Sequence, residues 1–327
     1  LQGDAGRGQS AIPIIASELI TAGLAEALAW ICPRKTLQRQ GEGNFLDPTF
    51  RQMFGHTHEI RTSTNDADPC RGLSGWISTY QALGMDTRET ALDEFKRRRY
   101  ILVLDEYHHA EEGGPWHEAL TGLYARAAFV VLMTGTLERG NKSKVAFTKY
   151  VATGNVLRPF LGQSDDTRVI EYSRVDALEE KAIIPLKFHF SDGSVEWLDD
   201  LGAEVFYESM ATMPESEARK AIYTALRTDF FKELLDHAVG HWRSSLVENP
   251  GGKLLVVAPD VKRAKIAVKH LHGQYINADI ATSHETAAAQ EAIRRFKAGE
   301  KNVLVGVAMF YEAFDEPAVS HLAALTH

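Results

Sequence analysis

The sequence predicts an α/β protein built as two parallel-sheet lobes. Three observations carry this. Short apolar runs at Ala27–Cys32, Tyr100–Leu104 and within Lys253–Ala258 lack a polar face, as strands covered by helices on both sides do. They alternate with segments of helical periodicity. The alternation occurs twice, on either side of an irregular stretch, in a chain of 327 residues, longer than one core usually serves.

Taken in order, Leu1-Gln2 reads as the end of a strand, and Gly3 to Ser10 as a glycine-rich turn. Ile12, Ile15 and Leu19 then recur at helical spacing up to Gly23. Ala27–Cys32 is a buried strand closed by Pro33, and Thr36 to Gln40 restarts a helix. Gly75 to Tyr80, Tyr100 to Leu104 and Phe129 to Met133 read as further strands. Residues 141–215 are of mixed polarity, punctuated by Gly154, Pro159, Gly162, Pro185 and Gly193, with a short strand expected at Ile183–Phe190. Helical spacing returns at Ile222, Leu226, Phe230 and Leu234. After it come strand Lys253–Ala258, helix Val261–Leu271, strand Ala278–Thr282, helix Thr286–Lys297 stopped by Gly299, and strand Asn302–Val307. The expected division is a first lobe over 1–160, a connecting region over 161–215 and an incomplete second lobe over 216–327.

Composition narrows the function classes. With 44% hydrophobic and 24% charged residues, disorder, collagen and coiled coil are excluded. No apolar run approaches the roughly 18 residues of a membrane helix, so a membrane role is not expected. Two cysteines, Cys32 and Cys70, suit reduced thiols and a cytoplasmic setting rather than a disulfide framework. The formal net charge of −8 argues against a strongly basic coat but not against a local basic channel. Residues 1–160 hold 18 Lys+Arg and 18 Asp+Glu, so the remainder supplies that whole charge.

Two segments carry chemistry. Gly3-Asp-Ala-Gly-Arg-Gly-Gln-Ser10 fits the phosphate-loop pattern at every fixed position except the lysine, which is Gln9. Gly3, Gly6 and Gly8 let backbone N–H groups wrap phosphates, the helix N-terminus favours negative charge, and Ser10 Oγ can reach Mg²⁺. A glycine-rich turn with a serine cap is the plain alternative. Asp105 and Glu106 stand at the carboxyl end of a buried strand, where ligands of parallel sheets bind. Asp105 can hold Mg²⁺, and Glu106 can orient or deprotonate an attacking water. An ordinary strand end running into a polar loop is the alternative there.

In this order the motifs resemble a superfamily 2 helicase of the DEAD/DEAH-like kind, bacterial and of the restriction-subunit type. Asp105-Glu-Tyr-His108 is similar to the Asp-Glu-x-His signature. Trp30-Ile-Cys-Pro-Arg-Lys35 and Ile77-Ser-Thr-Tyr-Gln81 resemble the segments that touch the nucleic-acid backbone, through Pro33, Arg34 and Thr79. Thr134-Gly-Thr136 resembles the element linking hydrolysis to domain movement. Val256-Val-Ala-Pro259 and Met309-Phe-Tyr-Glu-Ala-Phe-Asp315-Glu-Pro317 resemble the fourth and fifth motifs. The resemblance implies two RecA-like P-loop lobes with ATP and Mg²⁺ between them and one strand crossing both, DNA rather than RNA. It implies an ATP hydrolase in which Glu106, Asp105 and His108 serve catalysis, Thr134 and Thr136 couple the lobes, and Asp315 approaches the nucleotide from the second lobe. Phosphoryl transfer of this kind is positioning plus electrostatic stabilisation.

The sequence departs from the pattern at three places. Gln9 replaces the lysine that sets an ammonium against the phosphates, which predicts impaired turnover. Ala313 replaces a glycine before Phe314-Asp315. Leu1 at one end and Leu325-Thr-His327 at the other leave no first strand and no arginine-rich last motif, so a fragment is expected. Two other readings stay open: an inactive helicase-fold module that binds nucleic acid, and a motor subunit whose partner supplies nuclease chemistry. Other candidates are weaker. His56-x-His58, His108-His109 and His117 have neither cysteine near enough for a standard zinc-ligand pair, and no H-E-x-x-H is present. Lys96-Arg-Arg-Arg99 precedes its strand and reads as a solvated face, the scattered tryptophans read as core, and no G-x-S-x-G elbow is present.

Overall fold

The computed structural model describes residues 7–62, 73–83, 88–137, 143–154, 156–160, 162–163, 167–181, 183, 185–199, 201–282, 287–307 and 316–326. The chain divides into two compact units, Leu1–Leu186 and Lys187–His327.

In the first unit, α1 (Arg7–Thr21) leads into β1 (Ala27–Cys32), followed by α2 (Lys35–Leu46), α3 (Pro48–Phe54), β2 (Ile60–Thr62) and β3 (Gly75–Thr79). Helices α4 (Tyr80–Leu83) and α5 (Arg88–Arg97), strand β4 (Tyr100–Asp105), α6 (Pro115–Tyr124) and β5 (Phe129–Met133) complete its core. The five strands form one parallel sheet in the order β2-β3-β1-β4-β5. Alternation along the strands sorts side chains onto two covered faces. Leu28, Trp30, Cys32, Ile77, Ile101 and Val103 meet Ile12 and Ala16 of α1 and Leu37 and Phe45 of α2. Ala29, Ile31, Trp76, Leu102 and Leu104 meet Tyr80, Leu83, Phe95, Leu120 and Leu123 from α4 to α6. Gly75 opens β3 where a Cβ would lie 2.3 Å from Leu28 O, so only glycine lets the two strands close. A hairpin of β6 (Tyr150–Thr153) and β7 (Val156–Pro159) and the short α7 (Arg174–Glu179) follow.

The second unit begins with a hairpin of β8 (Val195–Leu198) and β9 (Glu204–Tyr207), then α8 (Glu215–Ala225) and α9 (Phe230–Ser245). Next come β10 (Lys253–Val257), α10 (Val261–Gly273), β11 (Ala278–Ala281), α11 (Ala287–Lys297), β12 (Val303–Gly306) and β13 (Val319–Ala324). Its four-stranded parallel sheet runs β11-β12-β10-β13. Leu254, Val256, Val303 and Val305 pack on one face with Phe231, Leu235, Ala264 and Leu271, while Leu255, Val257 and Leu304 meet Ala289, Ala292 and Phe296 on the other. The α/β class with two parallel-sheet lobes is therefore as the sequence predicts.

Four local expectations change. The helix expected after Ser10 already starts at Arg7, so part of the glycine-rich turn is helical. Phe129–Met133 is a strand as expected, but its cover on both faces is not: it lies at the edge of the described sheet and leaves Phe129 exposed, because only β4 pairs with it among the described strands. The described residues of Ile183–Phe190 pair with no strand, and Leu186, Phe188 and Phe190 are exposed, so burial gives that run no reason to join a sheet. The spacing Ile222-Leu226-Phe230-Leu234 is broken between α8 and α9. Turn bonds from Arg227 N–H to Thr224 O and from Thr228 N–H to Ala225 O end the first helix. The second then buries Phe231 and Leu235, one residue out of the expected phase.

Candidate functional site

The carboxyl ends of β1, β3, β4 and β5 lie along one edge of the first sheet, since all four strands are parallel and in register. They bring Cys32-Pro33-Arg34, Thr79-Tyr80, Asp105-Glu106 and Thr134-Gly-Thr136 to that edge. Helix α1 reaches β1 through the short link Ala22–Glu26 and so runs back along it, which turns its amino end toward the same edge. Gly8, Gln9 and Ser10 sit in the first turn of α1, although their side chains fall outside the described residues. Gly3, Gly6, Ala313 and Asp315 also lie outside them.

Asp105 ends β4 and is 4% exposed. Glu106 then takes the left-handed conformation, φ 48 and ψ 46, which a residue with a Cβ adopts at a cost of about 1–3 kcal/mol. That turn directs its carboxylate at the end of β5. Glu106 Oε2 lies 3.2 Å from His108 Nδ1 and 3.4 Å from Thr134 Oγ1, and it accepts the N–H of Gly135 at 3.4 Å. His108 Nδ1 and Thr134 Oγ1 are 2.7 Å apart, and Thr136 N–H donates to the same hydroxyl at 3.1 Å. Burial pushes the Glu106 carboxyl up, but the hydrogen bond and charge of His108 and the Gly135 N–H outweigh it and hold the group below its ordinary value. Thr134 is buried and Thr136 is exposed. The arrangement presents an ionised carboxylate locked to two neighbouring strand ends.

The residues expected to touch a strand are placed less uniformly. Arg34 and Pro33 are half-buried beyond the end of β1, with Arg34 extended at φ −140 and ψ 149. The Cys32 thiol donates to the carbonyls of Arg34 and Ser78, both at 3.4 Å, and burial pushes it far above its ordinary value. Thr79 is buried, and its hydroxyl accepts Ala82 N–H at 3.2 Å as the cap of α4. Tyr80 is a member of this edge that sequence reasoning quoted without a role. Its hydroxyl donates to the Asp105 carbonyl at 2.8 Å.

Among the described residues, those of this edge included, no group of three or more His, Cys, Asp or Glu could hold a metal ion. No described helix is long and apolar enough to cross a membrane. His56 is 5% exposed, packed edge-on against Phe45, and neither ring nitrogen has a partner among the described residues. Burial first, then the charges of Arg51 and His58, hold its imidazole below the ordinary 6.5. A depressed histidine stabilises the fold fully above that ordinary value and loses its contribution as pH falls through the lower folded value. The first unit should therefore unfold more easily as pH falls from about 7.5 to about 5, the range where histidine titrates. Urea titrations over that range should give a smaller pH dependence in His56→Phe, and an unaltered slope would assign the effect elsewhere.

A covered parallel sheet with paired acids at the carboxyl ends of its strands is the α/β architecture in which ligands bind at that edge. Comparison with known proteins narrows the class. Residues 5–139 match the family described as Type III restriction enzyme, res subunit. Uncharacterized protein Rv2917 of Mycobacterium tuberculosis is 24% identical over 328 residues, 96% of this chain and 51% of that protein. Uncharacterized protein ML1624 of Mycobacterium leprae is 21% identical over 225 residues, 68% of this chain and 37% of that protein. The chain spans about half the length of the first of these curated relatives. Among solved structures, the Mycobacterium smegmatis helicase Lhr bound to ssDNA and AMP-PNP is 15% identical, covering 98% of this chain and 38% of that one at TM-score 0.48. S. cerevisiae Dbp5 bound to RNA and ADP BeF3 is 12% identical, covering 99% and 69% at TM-score 0.46.

Proposed function

We propose that the chain forms the motor part of an ATP-dependent nucleic-acid helicase or translocase acting on DNA, with turnover weakened by Gln9. The observation that carries this is the Glu106–His108–Thr134 cluster beside Asp105, at the carboxyl edge of a parallel sheet that α1 approaches with its amino end. The motor lobes would span 1–160 and 216–327, with 161–215 connecting them.

The residues fit a magnesium nucleotide in part. Asp105 and the Ser10 hydroxyl are hard oxygen donors of the kind Mg²⁺ takes, and Gly3, Gly6 and Gly8 suit a phosphate cradle. Gln9 offers no cation to it. Bound MgATP would supply the transferable phosphoryl group. Glu106 would orient the attacking water and accept its proton, as an ionised carboxylate can. His108, Thr134 and Thr136 would transmit a change at that carboxylate to the end of β5, while Asp315 would meet the nucleotide from the second lobe. Pro33, Arg34 and Thr79 would hold the strand. Any nuclease chemistry would come from a partner subunit.

Titration calorimetry with ATP, with and without Mg²⁺, tests the reading together with binding of labelled DNA and RNA strands. Mg²⁺-dependent ATP binding at micromolar strength supports the motor. Strand binding without ATP binding supports the second reading, an inactive module, which Gln9 itself favours. Absence of both would end both readings.

A further inference from the structure

We propose that Tyr80 is a positioning residue for Glu106: its hydroxyl holds the Asp105–Glu106 peptide in the left-handed turn that aims the Glu106 carboxylate at the end of β5. The assignment rests on reading Asp105 and Glu106 as the hydrolytic pair.

Tyr80 follows directly on Thr79 at the carboxyl end of β3 and is 1% exposed. In the strand order, β1 lies between β3 and β4, so the ring passes over the end of β1 to reach β4. Burial pushes the phenol far above its ordinary value, followed by the negative charge of Asp105 and then by Cys32 and Glu106, which places the ring among all three strand ends. It stacks on Trp116 of α6, with centroids 5.2 Å apart and planes 16° apart. The ring is thus clamped, and the one polar atom it carries is spent on the Asp105 carbonyl.

That carbonyl belongs to the peptide whose rotation sets φ of Glu106. A positive φ at a residue with a Cβ persists only where neighbours fix it. On the far side, His109 N–H donates to Glu106 O at 3.1 Å and Ala110 N–H to Tyr107 O at 2.9 Å. On the near side, Tyr80 fixes the plane. Without the hydroxyl, the buried carbonyl loses its side-chain partner and the turn loses one of the bonds that fix it, which loosens the aim of the carboxylate at Thr134, Gly135 and His108. The same bond ties the end of β3, where a strand is expected to lie, to the acidic turn.

Tyr80→Phe removes only the hydroxyl and keeps the stack on Trp116. Tyr100→Phe is the control: it removes another buried hydroxyl, bonded to Glu94 at 3.2 Å, from the opposite end of β4. Hydrogen exchange in a peptide covering 105–110 should quicken in Tyr80→Phe and stay unaltered in Tyr100→Phe. Unaltered exchange in Tyr80→Phe overturns the proposal whether or not the protein turns over ATP. Steady-state kinetics on the chain and on its Gln9→Lys form supply the second readout. In Tyr80→Phe, kcat should fall about tenfold with KM for ATP within about twofold, because the lost contact serves aim rather than binding. Equal kcat losses in both tyrosine variants, or none in Tyr80→Phe, would reduce Tyr80 to a packing residue. A Gln9→Lys parent that neither binds nor hydrolyses ATP would instead refute the hydrolytic reading, with the exchange result standing apart.

Discussion

Gln9→Lys is expected to raise strand-stimulated ATP turnover by about 10²–10³-fold, the span that one donor aimed at a reacting centre contributes. The position lies in the first turn of α1, whose amino end faces the acidic strand edge. On the proposed reading, backbone N–H groups and the helix start would favour phosphate there whatever the side chain, whereas turnover would depend on it. Charge builds on the phosphoryl oxygens as the bond to the leaving group loosens, and a neutral amide answers it less well than an ammonium. Charge-assisted hydrogen bonds are roughly twice as strong as neutral ones, and lysine also reaches further than glutamine. ATPase assays on the chain, on Gln9→Lys, and on Gln9→Lys with Glu106→Gln give the comparison. The first should be slow, the second fast and the third at background. Robust turnover by the unmodified chain would refute the premise that the missing cation limits it.

The parts of the fold legible in the sequence are those where burial alone decides. β1, β4 and β10 are apolar on both faces because helices cover both, and their ends were readable to within a residue. The acidic strand end was readable for the same reason: Asp105 breaks an otherwise unbroken apolar run. Elements set by local bonds rather than by burial were harder to see. The β6–β7 and β8–β9 hairpins leave Val151, Val156, Leu157, Leu198 and Phe206 exposed, so no clean alternation marks them. α7 is short but carries a readable signal in its capping box, Ser173 with Asp176. The break after α8 shows how one turn shifts the phase of a helical stripe, which periodicity read across it cannot detect.

The site was legible as a list of residues but not as a geometry. Asp105, Glu106, His108 and Thr134 are recognisable by motif, yet nothing in their spacing tells that Glu106 adopts positive φ or that Gly135 contributes its N–H. Tyr80 had one usable signal, an aromatic residue immediately beyond a buried strand. Its partner is a backbone carbonyl on a strand two positions away in the sheet, and a carbonyl leaves no trace in a sequence.

Lys253→Met is expected to destabilise the second unit by about 3–5 kcal/mol, the usual cost of stranding one member of a buried ion pair. The Lys253 and Glu316 side chains are 7% and 10% exposed and meet at 3.0 Å. Lys253 Nζ also donates to Lys297 O at 3.1 Å and lies 5.1 Å from the centre of the Phe296 ring. One ammonium thus joins the start of β10, the last turn of α11 and the approach to β13. Methionine keeps the length and the contact with Phe296 but leaves the Glu316 carboxylate buried without a cation. Urea unfolding followed by tryptophan emission measures the effect, since the Trp242 indole donates to Gly252 O at 2.9 Å, next to Lys253. Lys253→Met with Glu316→Leu should recover most of the loss, because an apolar pair of similar volume requires no desolvation of charge. A single-variant cost below about 1 kcal/mol, the range of exposed pairs, would mean that water reaches the site and solvates the carboxylate.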